Sequence, residues 1–345
     1  MNLLVRTRLA PGPYDHTATR RRTTTREDAC TILVSLWLIV GLFLDGHAHE
    51  DVLTGDESFV TPWHAVFYAG FGATVAWLVV LARRGRTGGQ SLIDALPHGY
   101  ELAWSGMILF GLGGAGDAAW HTAFGVETGI DALMSPTHLV LFAGLLLMLL
   151  SPWRAARHDT VPDRRIGGAA AWSVGLATAL AGFFANYVWG LGIGELVVVP
   201  YDPVSQTGEA EVIAGVGSVL VTTVILLGVA AALLRRGHPP RLWFTTMFLL
   251  VAGLVSLGFD EGAAGVVAAG AAGVVLDVLT APGLRARLGV TAALAGAAVA
   301  MWTVFFGLVG LDTGIAWPRE IWAGSIVLAA LTAVAVGRFS EPDVR

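Results

Sequence analysis

The 345-residue chain has no lysine, a single cysteine and few charged residues, and each scarcity removes a class of protein. Because Cys30 is alone, an internal disulfide and any thiolate cluster for zinc or iron–sulfur are excluded, so a bound metal must rest on histidine and carboxylate. Charged residues make up 14% of the chain, against roughly 25% in soluble globular domains. Together with 55% hydrophobic residues and a mean hydropathy of +0.67, that deficit excludes a water-soluble domain. All basic charge is carried by arginine, the net charge is −5, and nothing supports nucleic-acid binding or a lysine-bearing phosphate loop.

What the chain has in excess is glycine, 44 residues of it, together with long apolar stretches. Small residues let helix backbones approach closely where lipid supplies no hydrophobic drive between helices. Stretches able to cross, or nearly cross, about 30 Å of hydrocarbon begin at about 30–44. They recur at about 64–82, 101–118, 136–152, 167–190, 209–234, 242–259, 263–280, 288–311 and 319–337. The pattern predicts an all-α polytopic transmembrane bundle of about ten spans over 30–338. A disordered tail at 1–29 and a short one at 339–345 flank it. No cleavage site follows the first stretch, which is read as a retained span.

Arginines cluster in alternate connections, at Arg20–Arg22, Arg83/Arg84/Arg86, Arg154/Arg157/Arg164/Arg165, Arg235/Arg236/Arg241, Arg285/Arg287 and Arg338/Arg345. The positive-inside rule places these in the cytoplasm. It predicts a multi-pass protein of the cell membrane with both termini cytoplasmic, embedded in the lipid bilayer, alone or with other membrane subunits or further copies of itself.

Two stretches are alike beyond hydrophobicity. Asp45-Gly-His-Ala-His49, then Thr61-Pro-Trp-His64 and Phe67-Tyr-Ala-Gly70, is echoed by Asp117-Ala-Ala-Trp-His121, then Ser135-Pro-Thr-His138 and Leu141-Phe-Ala-Gly144. The units cover about 30–86 and 101–157, with degenerate copies predicted after them near Asn186/Glu211 and Asp312/Glu320. Asp and His four apart share a helix face, and proline suits the first turn of the next helix. Two antiparallel helices then converge Asp117, His121 and His138 in one unit, and Asp45, His49 and His64 in the other. Oxygen and nitrogen donors without sulfur suit copper(II), iron or zinc, with copper favoured by the Irving–Williams order. His47 and Glu127 are auxiliary candidates. Asp56, Glu57 and Asp131 are further candidates to orient the imidazoles. A solvated-loop role remains the bland alternative for each residue.

The Asp-x3-His and Ser/Thr-Pro-x-His pattern resembles the C subunit of the particulate methane and ammonia monooxygenases. The resemblance implies copper ligation by Asp117, His121 and His138, and through the repeat by Asp45, His49 and His64. The spacing differs: sixteen and fourteen residues separate the last two histidines here, twelve in that family. A similar ligand arrangement is therefore implied, without methane or ammonia as substrate. The expectation is an integral membrane metalloprotein with an oxidase- or monooxygenase-like role. The alternatives are metal-ion handling or transport, a zinc-dependent intramembrane hydrolase, and a metal-free structural or pH-sensing bundle.

Overall fold

The computed structural model describes residues 20–51, 61–125, 129–157, 166–202, 206–259 and 262–339; the side chains of 49–51, 196, 206, 207 and 286 lie outside that description. Among these residues the fold is all-helical with no strand. The helices are α1 (Thr25–Asp51), α2 (Pro62–Gly85), α3 (Glu101–Phe124), α4 (Ile130–Met134), α5 (Pro136–Leu149), α6 (Ser151–Ala156) and α7 (Gly168–Phe184). They continue with α8 (Gly194–Val197), α9 (Gln206–Arg236), α10 (Trp243–Gly258), α11 (Ala263–Leu279), α12 (Pro282–Asp312) and α13 (Arg319–Phe339).

Each of the ten apolar stretches holds one of the longer helices. Five, namely α1, α2, α9, α12 and α13, are long and apolar enough to cross a membrane. The 24 residues of α2, rising about 1.5 Å each, reach roughly 36 Å. Apolar side chains on the outer helix faces, such as Leu33, Leu112, Ile213 and Leu331, are more than half exposed. Such faces suit lipid as their solvent.

The start of α1 differs from the predicted tail. Thr24 Oγ1 accepts the Glu27 amide at 3.2 Å while Glu27 Oε2 accepts the Thr24 amide at 2.9 Å. This reciprocal capping box begins the helix at Thr25, before the apolar run. Arg20 and Arg21 are folded as well: they donate to the carbonyls of Ile93 (2.8 Å) and Leu81 (3.1 Å), neutralising helix and turn ends.

Sequential pairing builds the bundle. α1 packs on α2 and α3 on α5, and a chain of contacts runs α10, α11, α12, α13, α9; α7 touches α1, α5, α9 and α10. Asp277 of α11 accepts the amides of Phe244 (3.3 Å) and Thr245 (2.9 Å), so it caps α10. Glu101 pairs with Arg20 at the arginine end.

The two pairs α1–α2 and α3–α5 make the same close contacts at equivalent positions. A Cβ on Gly41 would meet Phe67 Cα at 2.9 Å, and one on Gly113 the Leu141 amide nitrogen at 3.1 Å. Conversely, a Cβ on Gly70 would meet Leu38 Cα at 2.9 Å, and one on Gly144 the Phe110 amide nitrogen at 2.7 Å. Only glycine allows backbones this near. The two pairs meet through Phe110, whose ring packs on Phe67, Tyr68 and Phe71 with centroids 5.5, 6.0 and 4.3 Å away.

Candidate metal centre

In both pairs the second helix opens with a capping hydroxyl followed by proline. Thr61 Oγ1 accepts the His64 amide at 3.1 Å, and Ser135 Oγ accepts the His138 amide at 3.3 Å. The same oxygen touches the imidazole of that histidine, at 3.2 Å for Thr61 with His64 Nδ1 and 2.7 Å for Ser135 with His138 Nδ1. With Nδ1 held against its own helix start, each ring turns Nε2 toward the aspartate of the preceding helix. His64 Nε2 lies 3.4 Å from Asp45 Oδ2, and His138 Nε2 lies 3.3 Å from Asp117 Oδ1.

His121, one turn beyond Asp117, completes the second unit. Its Nε2 is 3.5 Å from Asp117 Oδ2, and its Nδ1 donates to the Gly125 carbonyl at 3.2 Å. A carbonyl only accepts, so neutral His121 carries its proton on Nδ1 and presents a bare Nε2. Asp117, 1% exposed, is further held by the Thr137 hydroxyl, which donates to Oδ1 at 3.0 Å. One ligand atom from each of Asp117, His121 and His138 falls within 4.8 Å of the others, and this is the one such group among the described residues.

The two units open onto one cavity of about 80 Å³. Its polar wall is Asp45, His64, Tyr68, Asp117, His121 and His138. Its remaining walls are apolar, with Leu42, Leu141, Leu145, Phe183 and Phe259 among them. α7 supplies Phe183, which fits against Gly46, where a Cβ would lie 2.5 Å from the ring, and stacks edge-on with Phe43 at 5.1 Å. Asp45 and Asp117 are near enough to repel one another, and Tyr68, whose hydroxyl faces Gly114, feels both.

Among the sequence-predicted residues, Asp117, His121 and His138 are brought together, and Asp45 meets His64. The side chain of His49 and all of Glu127, Asp56 and Glu57 lie outside the described residues. His47 is half-buried on α1 but does not line the cavity, and Asp131 on α4 is exposed. Sequence reasoning passed over Thr61, Ser135, Thr137, Tyr68 and the Gly125 carbonyl. The signal for the first two was present in the Ser/Thr of Ser/Thr-Pro-x-His, a capping position whose oxygen also reaches the histidine.

The chain matches no family model, no curated protein and no solved structure.

Proposed function

We propose that this protein is an integral membrane metalloprotein in which Asp117, His121 and His138 hold one copper ion beside a small, mostly apolar cavity, serving an oxidative reaction. The observation that carries this reading is His121: its Nδ1 proton is committed to the Gly125 carbonyl, so its Nε2 lone pair faces the Asp117 carboxylate. In the neutral ring that lone pair opposes the carboxylate, a repulsion relieved either by a second proton or by a metal ion between them, and the donor set of two imidazoles and a carboxylate favours the metal. Ligating histidines characteristically hold their second nitrogen in this way.

The spacing fits an ion as well. His138 Nε2 lies 3.3 Å from Asp117 Oδ1 and His121 Nε2 lies 3.5 Å from Oδ2, and one ligand atom from each of the three residues falls within 4.8 Å of the others, a group compact enough to close on one ion. Two imidazoles and a carboxylate favour copper by the Irving–Williams order. The motif's resemblance to the C subunit of particulate methane and ammonia monooxygenases favours it too. Bound copper would supply a redox-active Lewis acid beside the cavity. The protein's part is to hold the imidazoles neutral and oriented, to bury Asp117, and to exclude bulk water behind Phe183 and Phe259.

A transmembrane ion path is disfavoured by where the other polar residues lie. Asp277 caps α10, Glu101 pairs with Arg20, and the inner side of the cavity is Leu42, Leu141 and Leu145. Orientation follows the arginine asymmetry, with the site at the extracytoplasmic face.

The test is elemental analysis of detergent-purified protein, wild type beside His121→Ala and His138→Ala. Wild type is expected to carry one copper per chain and each variant to lose it. Wild type without metal above background, even after incubation with copper, overturns the proposal.

A further inference from the structure

The two halves of the cavity look alike but differ in where their hydroxyl protons go. In the second unit, Ser135 Oγ is 3.1 Å from Thr137 Oγ1 and 2.7 Å from His138 Nδ1, and it accepts the His138 amide. Thr137 Oγ1 donates to Asp117 Oδ1 at 3.0 Å. Each hydroxyl has a single proton. Since Thr137 gives its proton to the carboxylate, it must receive that of Ser135. Ser135 then offers His138 only a lone pair, so Nδ1 carries the imidazole proton and Nε2 is bare. The reverse assignment, with Ser135 donating to Nδ1, leaves the two hydroxyl oxygens facing each other with no proton between them.

In the first unit the residue two places after the cap is Trp63, whose indole has a donor and no acceptor. Thr61 therefore has no second hydroxyl to receive its proton. Among the described residues its side-chain oxygen contacts only the His64 amide, which donates to it, and His64 Nδ1. The Thr61 proton goes to Nδ1. His64 then carries its own proton on Nε2 and donates it to Asp45 Oδ2, 3.4 Å away. In that arrangement the Nε2 proton occupies the lone pair that a metal ion would need.

We infer that Thr137 is a positioning residue that selects the metal-binding tautomer of His138, so that the ion sits in the second half of the cavity while His64 donates its Nε2 proton to Asp45 beside it. This rests on the metal-centre reading above and adds which half binds, how many ions, and which side chain decides. The Thr137 methyl packs over Gly116, where a Cβ would lie 3.4 Å from it, so its hydroxyl is aimed at Asp117 by a close helix contact.

The experiment is nitrogen NMR of 15N-histidine-labelled, metal-free protein, with His138→Ala and His64→Ala used to assign the signals, followed by copper titration. Wild type is expected to show His138 protonated on Nδ1 and His64 on Nε2, and to bind one copper per chain. Thr137→Val is expected to move the His138 proton to Nε2 and weaken copper binding about 10- to 100-fold, with Thr137→Ser restoring both. His64→Ala is expected to retain the ion.

A wild-type His138 protonated on Nε2, a Thr137→Val variant matching wild type in tautomer and affinity, or a second copper lost in His64→Ala would each overturn the inference. The first of these needs no variant to fold. If His138 has the expected tautomer but no copper binds, the metal-centre reading fails and takes the ion assignment with it, while the hydroxyl relay itself survives.

Discussion

The carbonyl that receives the His121 Nδ1 proton belongs to Gly125, whose backbone lies at φ 87°, ψ 176°. That region is essentially closed to other residues, at a cost of about 1–3 kcal/mol. Gly125 also donates its amide to the His121 carbonyl at 3.0 Å, so one glycine ends α3 and orients the His121 imidazole. Gly125→Ala should lower stability by about 1–3 kcal/mol and weaken copper binding. Thermal unfolding in detergent with and without copper reads both, and an unchanged copper-induced stabilisation would contradict the role given to this carbonyl. At this scale Asp117 with His121 was legible, because i and i+4 share a helix face. Thr137 was not, because the same place in the first unit holds Trp63, so the pattern treated it as a variable position. Gly125 acts through a backbone atom and leaves no trace in residue type.

Helix pairs are set by glycines at matched positions. The Gly106 and Gly144 faces meet so closely that a Cβ on Gly144 would lie 2.7 Å from the Phe110 amide nitrogen and 2.8 Å from the Gly106 carbonyl oxygen. Backbone cannot yield as a flexible side chain does, so Gly144→Val should destabilise by at least about 1–3 kcal/mol and separate His138 from Asp117. Gly111→Ala, with nothing within 4 Å of the new methyl, serves as the control and should leave folding unchanged. Copper retention after mild heating compares the two, and equal behaviour would argue against close packing of α3 on α5. The element ends were legible where chemistry marks them, at Thr61-Pro62 and Ser135-Pro136. The start of α1 was misjudged because the capping box at Thr24 and Glu27 precedes the apolar residues used to locate the span.

Viewed as one molecule, the bundle gathers its arginines, Arg319 at the start of α13 excepted, at one end and its histidine–aspartate cavity at the other. Arg21 and Arg285 donate to the carbonyls of Leu81 (3.1 Å) and Leu234 (2.6 Å), where α2 and α9 finish, so the basic end is also where helix dipoles end negative. Orientation can be tested with one introduced cysteine in a Cys30→Ser background, at Gly88 on the arginine end or Thr313 on the opposite end, both exposed. A membrane-impermeant thiol reagent applied to intact cells should label Thr313→Cys and spare Gly88→Cys. Labelling of Gly88→Cys alone would reverse the orientation and put the cavity on the cytoplasmic side.

Composition and period by themselves determined that the chain is a multi-helix membrane bundle, because apolar length and arginine spacing are summed over many residues and survive local error. They also placed Asp117, His121 and His138 at the ends of adjoining helices, since a short loop and a proline-started helix keep neighbours in sequence close in space. Tertiary structure alone decided that the two units face a single cavity, because that depends on Phe110 packing against α2 and on α7 filling the space beside α1. It alone decided, too, which oxygen each hydroxyl proton reaches, a matter of sub-ångström placement that residue spacing does not encode.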